Sequence, residues 1–98
     1  MPVRHVVCFR FHPGTTPDQV AAVAAGLREL PGIIPEIVDY HAEPDLGINP
    51  TSWDFSVTAD FRSEADYLTY RDHPDHQDHI ARLVTPITAE RAAVQIAL

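Results

Sequence analysis

The chain has no lysine and only one cysteine, one methionine and one tryptophan among its 98 residues. All seven basic residues are arginines, and fourteen acidic residues outnumber them, which gives a net charge of −7 at pH 7. Proteins that bind nucleic acid or anionic membranes need a cationic surface. The composition therefore argues against nucleic acid and membrane lipid as partners.

The chain also lacks a long apolar run. No stretch approaches the roughly 20 residues that a membrane helix needs, and the N-terminal segment MPVRHVVCFRF contains arginines that are foreign to the core of a signal peptide. The single cysteine, Cys8, excludes an internal disulfide, and its apolar surroundings are typical of a buried, unreactive thiol. We therefore expect a cytoplasmic protein.

The composition is that of a globular protein, with 45% hydrophobic and 21% charged residues. A chain of this length forms one domain, 1–98, with one core. A ligand would need a compact pocket between helices and sheet, or help from a second subunit. No nucleotide-binding loop or other cofactor motif occurs, so no cofactor is expected.

Hydrophobic periodicity divides the chain into strands and helices. Apolar residues alternate with polar ones in the strand-like segments and follow the helical repeat in the others. Thr16 and Ser63 are good N-caps, and Pro74 interrupts the second helical segment. We predict strands at 3–11, 33–42, 53–61 and 89–97, and helices at 17–30, from 64 until Pro74, and at 75–84.

The order β-α-β-β-α-β predicts an α+β fold of the ferredoxin-like type, an antiparallel four-stranded sheet with its helices on one face. The other face would be left uncovered by the chain itself. Val6 and Cys8 from the first strand and Ser56 and Thr58 from the third give this face a mixed character. Pairing with a second copy would cover it, so the chain itself is the expected partner, in a homodimer.

The segment HPDHQDH, residues 73 to 79, contains three histidines. Pro74 predicts that His73 ends the preceding helix, whereas His76 falls in the first turn of the next helix, whose positive end favours a neutral imidazole. His79 is predicted to be peripheral. On a helix, His73 and His79 would project about 120° apart, which does not favour a shared metal ion. We predict no metal site.

His5 is the one polar residue on an otherwise apolar face of the first strand. A buried imidazole is costly unless its nitrogens find partners. One interpretation is a structural hydrogen bond from His5 to His76 or to a backbone carbonyl. The other is a proton relay, because imidazole titrates near neutral pH and two of them can act as acid and base. Both interpretations stay open at this point.

Three segments carry a resemblance to a known family: the N-terminal RHVVCFRF, the segment LPGI, and YRDHPDH near the end of the second helix. In this order and spacing, the chain resembles the stress-responsive dimeric α/β-barrel (Dabb) domain along essentially its whole length. The resemblance implies a homodimer in which two sheets face each other and form a barrel, with the helices outside.

The resemblance also implies a site. A plant polyketide cyclase of the same fold uses a strand histidine and the second histidine of HPxH around a pocket between sheet and helices, and these positions correspond here to His5 and His76. The chain departs from the cyclase at Phe55, in place of a pocket histidine, and at Leu27, in place of a tyrosine. We predict as catalytic residues His5, His76 and Tyr70, and as ligand-binding residues Phe55, Leu27 and Trp53.

Two functional hypotheses follow. The first is a homodimer that binds a small apolar, aromatic or carbonyl-containing ligand and moves a proton without a cofactor, as in a cyclisation or isomerisation. The second is a non-enzymatic, stress-associated structural or assembly protein, in which the same histidines only lock the helices to the sheet.

Overall fold

Four strands form a single antiparallel sheet in the computed structural model, which describes residues 1–98. The strand order is β2-β3-β1-β4, so the first and third strands are central. None of the helices has the length and apolar character needed to cross a membrane. The elements are β1 (Val3–Phe11), α1 (Pro17–Glu29), β2 (Ile37–Pro44), β3 (Phe55–Phe61), α2 (Glu64–Asp72), α3 (Pro74–His79) and β4 (Thr88–Ala97).

The first helix begins where its capping signals predict. The Thr16 side chain accepts a hydrogen bond from the Gln19 backbone N–H, and the Gln19 side chain accepts one from the Thr16 N–H, which completes a capping box. Pro17 occupies the first helical turn, where the missing N–H costs nothing. The buried face of the helix packs on the sheet through Val23, Ala24 and Leu27.

Four predicted boundaries were wrong by two residues or more, and one of them is the end of β2, which lies at Pro44 rather than residue 42. β2 begins at Ile37 rather than residue 33, because Ile34 continues the turn after α1, is fully buried, and donates its N–H to the Leu30 carbonyl. β3 begins at Phe55 rather than residue 53, because Asp54 accepts the Phe11 N–H through its carboxylate outside the ladder. The helix predicted at 75–84 ends at residue 79 and continues as a wider π turn and a short 3₁₀ turn to residue 87.

The core lies between the helices and one face of the sheet. On β1 the residues facing the helices are His5, Val7 and Phe9, all buried. They pair on β3 with Ala59, Val57 and Phe55, which are buried as well.

The second face of the sheet has no covering element within the chain. Arg4 forms a bidentate ion pair there with Asp60, in which Nε and Nη2 lie 2.8 and 2.9 Å from the two carboxylate oxygens. Apolar side chains lie beside it: Val6 pairs with Val94 across β1 and β4, and Val94 and Ile96 are 53% and 47% exposed. The alternation along β1 and β3 predicted this face correctly.

His79 lies in the core region, so its predicted peripheral position was wrong. It is 5% exposed, and its Nε2–H donates a hydrogen bond to the Val23 carbonyl of α1 at 3.0 Å. The ring fits against Gly26, where a Cβ atom would overlap it. The absence of a side chain at Gly26 therefore lets α3 approach α1.

Candidate functional site

A cavity of about 180 Å³ lies between the sheet and the two helices that follow β3. We call it the inner cavity. The exposed side chains of Arg71, Gln77 and Arg91 form its mouth. Its interior is lined by His5, Val7, Phe9, Leu27, Val57, Tyr67, Tyr70, His76 and Ile80.

His5 presents an N–H group to the inner cavity. Its Nδ1 lies 2.9 Å from the amide nitrogen of Gln95, and an amide nitrogen can only donate, so Nδ1 accepts and the ring proton is on Nε2. Nε2 has no protein partner, and no fully buried side-chain nitrogen or oxygen in the structure lacks one. Nε2–H is therefore reachable from the cavity.

The environment keeps His5 neutral. Burial, together with the positive charge of Arg91 and the neighbouring His76, lowers the pKa of the His5 imidazole to about 4. At neutral pH the ring is thus a hydrogen-bond donor without charge. This combination suits stabilisation of a carbonyl oxygen that gains negative charge.

His76 has the opposite arrangement. Its Nδ1 lies 3.0 Å from the Arg71 carbonyl oxygen, which can only accept, so Nδ1 carries the proton and Nε2 has the free lone pair. Burial lowers the pKa of His76, although the bond to the Arg71 carbonyl opposes this change. A neutral imidazole with a free lone pair is able to act as a general base.

The ring of Tyr70 packs against the ring of His76. Their rings lie 4.2 Å apart at an angle of 33°, and the Tyr70 hydroxyl is bonded to the Tyr40 hydroxyl at 2.9 Å. Burial raises the pKa of Tyr70 well above its usual range and that of Tyr40 to about 12, so both hydroxyls stay protonated. Tyr67 packs on His5 with 5.1 Å between ring centroids.

The structure brings four of the six predicted site residues together: His5, His76, Tyr70 and Leu27 all line the inner cavity. The other two do not line it. Phe55 is 1% exposed and packs in the core against Phe9, and Trp53 lies under the Arg10 guanidinium at 4.5 Å.

The hydrogen-bond partner predicted for His5 was wrong. The structural interpretation gave His76 or a backbone carbonyl as the partner, whereas the partner is Gln95 on β4. Gln95, Arg91 and Tyr40 were missed because no pattern within one strand reveals its neighbour in the sheet. The alternation in β4 places Arg91 and Gln95 on the same face and is the signal that could have indicated them.

The three histidines of HPDHQDH bind three different backbone groups. His73 ends α2, as predicted, and its Nδ1 accepts the Asp75 N–H at 3.1 Å. His76 and His79 donate to the carbonyls of Arg71 and Val23. The rings do not converge, and no group of three or more His, Cys, Asp or Glu residues in the structure is arranged to hold a metal ion.

The fold and the cavity define a class: ferredoxin-like α+β proteins with a histidine-lined pocket beneath the helices and one sheet face left open. The sequence model of the Stress Responsive A/B Barrel Domain (Dabb) family matches residues 3–97. The chain belongs to this family. No curated protein matches it significantly.

Solved structures show the same fold. A dimeric ferredoxin-like protein of unknown function from Thermobifida fusca YX is 43% identical, with a TM-score of 0.92 over 100% of this chain and 92% of that chain. A dimeric protein of unknown function from Bacteroides fragilis is 20% identical, with a TM-score of 0.86 over 99% and 96%. A hydroxynitrile lyase from Passiflora edulis is 22% identical, with a TM-score of 0.84 over 99% and 93%.

Proposed function

We propose that the chain binds a small carbonyl compound in the inner cavity and moves a proton next to the carbonyl group, without a cofactor. The observation that carries this proposal is the pairing of His5 and His76. One cavity contains a neutral histidine with a free N–H and a neutral histidine with a free lone pair. Such a pair is complementary to a carbonyl group and the carbon–hydrogen bond beside it.

The reaction follows from these two nitrogens. The lone pair on His76 Nε2 removes a proton from the carbon next to the carbonyl, and the electrons of that bond move to the carbonyl oxygen. The Nε2–H of His5 hydrogen-bonds to this oxygen as it becomes negative. His76, now an imidazolium, returns its proton to the oxygen, to the same carbon, or to another carbon of the enolate. The result is an enol, an isomer, or the starting compound, which contains a hydrogen from solvent when the imidazolium exchanges its proton with water before returning one.

The cavity limits the size of the substrate. At about 180 Å³ it is close to the volume of about 150 Å³ that holds one benzene ring. The apolar walls from Val7, Leu27 and Ile80 favour a compact ring or a short branched chain. The enolising group would lie between the two histidines.

Hydrogen–deuterium exchange tests the proposal. The protein is incubated in D₂O with ring-sized ketones such as cyclohexanone and acetophenone, and the loss of the proton signal next to the carbonyl is followed by NMR. We expect exchange faster than with an equal concentration of free imidazole. His76→Gln should slow it by about 100-fold or more, because the base is lost.

The matched control is His41→Gln. His41 is exposed on β2 and lies outside the inner cavity, so its replacement should leave the exchange rate unchanged. Circular dichroism of each variant shows that it is folded. If the wild-type protein exchanges the panel no faster than free imidazole, or if His41→Gln slows exchange as much as His76→Gln does, the proposal is wrong.

The non-enzymatic alternative has its own observation in favour. His5 ties β1 to β4 through Gln95, and His76 binds the end of α2 through the Arg71 carbonyl. Under this hypothesis the histidines only hold elements together. His5→Ala and His76→Ala would then each destabilise the fold by several kcal/mol, and no carbonyl compound would shift the NMR signals of residues that line the cavity.

We further propose that the protein acts as a homodimer, with the uncovered sheet faces of two copies packed together. The half-exposed Val94 and Ile96 on this face support the proposal, since apolar patches of this kind mark interfaces. The similar proteins from Thermobifida fusca and Bacteroides fragilis are described as dimeric.

A further inference from the structure

The charged residues that line the inner cavity are both arginines. The chain has fourteen acidic residues against seven arginines, yet no Asp or Glu lines the cavity, whereas Arg71 and Arg91 both do. With both histidines neutral, these guanidinium groups are the only full charges among the residues that line the cavity. The local charge is therefore opposite to the net charge of the molecule.

The two arginines differ in how far their charge is already compensated. Arg71 makes two hydrogen bonds to the Asp72 carboxylate, at 2.9 and 3.1 Å. Arg91 forms no ion pair with any carboxylate of the chain. Arg91 therefore has a guanidinium that is free to bind an anion at the mouth of the cavity.

The register of β4 places Arg91 beside the reacting groups. Gln95 pairs with His5 and Arg91 pairs with Phe9, so both β4 residues lie on the helix-covered side of the sheet. Their Cα atoms are about 13 Å apart along the strand, and Arg91 lines the inner cavity together with His5 and His76. A ligand in this cavity is therefore in reach of His5, His76 and Arg91.

We infer that the inner cavity selects small carboxylic acids, with the carboxylate bound by Arg91 and the carbonyl group held between His5 and His76. The substrate class is thus a compact oxo acid. A guanidinium matches a carboxylate because its two parallel N–H groups meet two oxygens. This inference rests on the proposed function of the cavity and adds the group that determines specificity.

Binding of such an acid should be visible at the histidines. Arg91 acts on both rings as a positive charge that disfavours protonation and so lowers their pKa values. A carboxylate that neutralises Arg91 removes this effect, and it also places a negative charge near the rings. The pKa of His76 should therefore rise when the acid binds. If Arg91 only supported the fold, binding of an acid would not change the pKa of His76.

A pair of probes of the same shape tests the inference. Benzoate and benzamide differ in charge but hardly in size, and their dissociation constants are measured by NMR titration of the wild-type protein. We expect benzoate to bind about tenfold more tightly, with an advantage that shrinks at high salt. In Arg91→Gln the two probes should bind equally, and the affinity for benzamide should be unchanged.

Arg62→Gln is the matched control. It removes the same charge from an exposed arginine that forms no ion pair and lies outside the cavity, so the preference for benzoate should persist. If neither probe binds although the ketones undergo exchange, this inference fails and the proposed function stands; if the ketones undergo no exchange either, both fail. Equal binding by the wild-type protein, or an equal loss in Arg62→Gln, overturns only the role of Arg91. A pKa of His76 that benzoate leaves unchanged also overturns it.

Discussion

At the scale of single residues, His5 and His76 both use Nδ1 to bind the protein, but in opposite roles. Gln95 holds the Nδ1 of His5 as an acceptor, and the Arg71 carbonyl holds the Nδ1 of His76 as a donor. The free nitrogens therefore have opposite roles, although the side chains are identical. The partner of the second nitrogen, rather than the presence of histidine, sets the chemistry available at each position.

Acid should destabilise the fold through His5. Its pKa is about 4 in the folded chain and near 6.5 when unfolded. Between these values the unfolded state binds a proton that the folded state does not, so the free energy of unfolding decreases as pH falls through this range. The loss for this one group is at most roughly 3 kcal/mol. Urea denaturation from neutral pH to pH 4 measures it.

The comparison variant for this prediction is His5→Phe, which keeps an aromatic ring beside Tyr67 but cannot titrate. We expect the free energy of unfolding of His5→Phe to fall less steeply over the same pH range. His76 contributes with the same sign in both proteins, because its pKa is also lowered. Parallel pH curves for the two proteins would show that His5 titrates normally in the folded state.

Of the four residues His5, His76, Arg91 and Gln95, the sequence indicated only the two histidines. His5 interrupts an apolar strand face, and Pro74 sets the helical phase that turns His76 towards the sheet. Both signals are local. Gln95 and Arg91 become part of the site only because β4 pairs with β1, more than 80 residues earlier in the chain, and a single sequence does not encode that register in any local pattern.

At the scale of elements, the best predictions came from capping residues and strict alternation. β1 has the predicted bounds, and α1 begins at Pro17 after its capping box. The prediction failed at Ile33 to Glu36, where an apolar run resembles a strand. There burial of Ile34 and the turn that follows α1 outweigh β propensity.

The contact between α1 and α3 depends on Gly26. A Cβ atom at this position would overlap the His79 ring, so Gly26→Ala should destabilise the fold by about 1 to 3 kcal/mol. This sign is informative, because alanine normally stabilises a helix interior relative to glycine by about 1 kcal/mol. Chemical denaturation of the variant measures the effect.

Gly32→Ala is the control for this contact. A methyl group added at Gly32 would have no atom within 4 Å, and the residue has no positive φ, so alanine should be tolerated there. The double variant Gly26→Ala/His79→Ala should recover part of the loss, since the clash disappears with the ring. A Gly26→Ala protein as stable as Gly32→Ala would show that the helices are not in close contact at this point.

At the scale of the whole molecule, the order of elements was readable from the sequence and gave the ferredoxin-like sheet. The alternation of residues along β1 and β3 also predicted which side chains lie on the uncovered face of the sheet. The inner cavity did not follow from the periodicity, and only the family resemblance implied a pocket there; the cavity lies between β1, α2 and α3 and is lined by Tyr67 and Tyr70 among others. Such a space between elements has no signature in the periodicity of either one.

The open sheet face provides a test of the dimer. Val94→Glu places a charge on this face, on the edge strand β4, where it would be buried against the partner, and it should shift the protein towards monomer. Light scattering measures the mass. Ile33→Glu, in the exposed turn after α1, is the control and should remain dimeric. A wild-type protein that is monomeric at micromolar concentration would contradict the proposed assembly.

The central claim is that one cavity contains a neutral histidine donor and a neutral histidine acceptor. Long-range ¹⁵N–¹H NMR correlation of the ¹⁵N-labelled protein at neutral pH reports the protonated nitrogen of each ring directly. We expect the proton on Nε2 of His5 and on Nδ1 of His76. The same tautomer in both rings, or a positive charge on either, would contradict the proposed function.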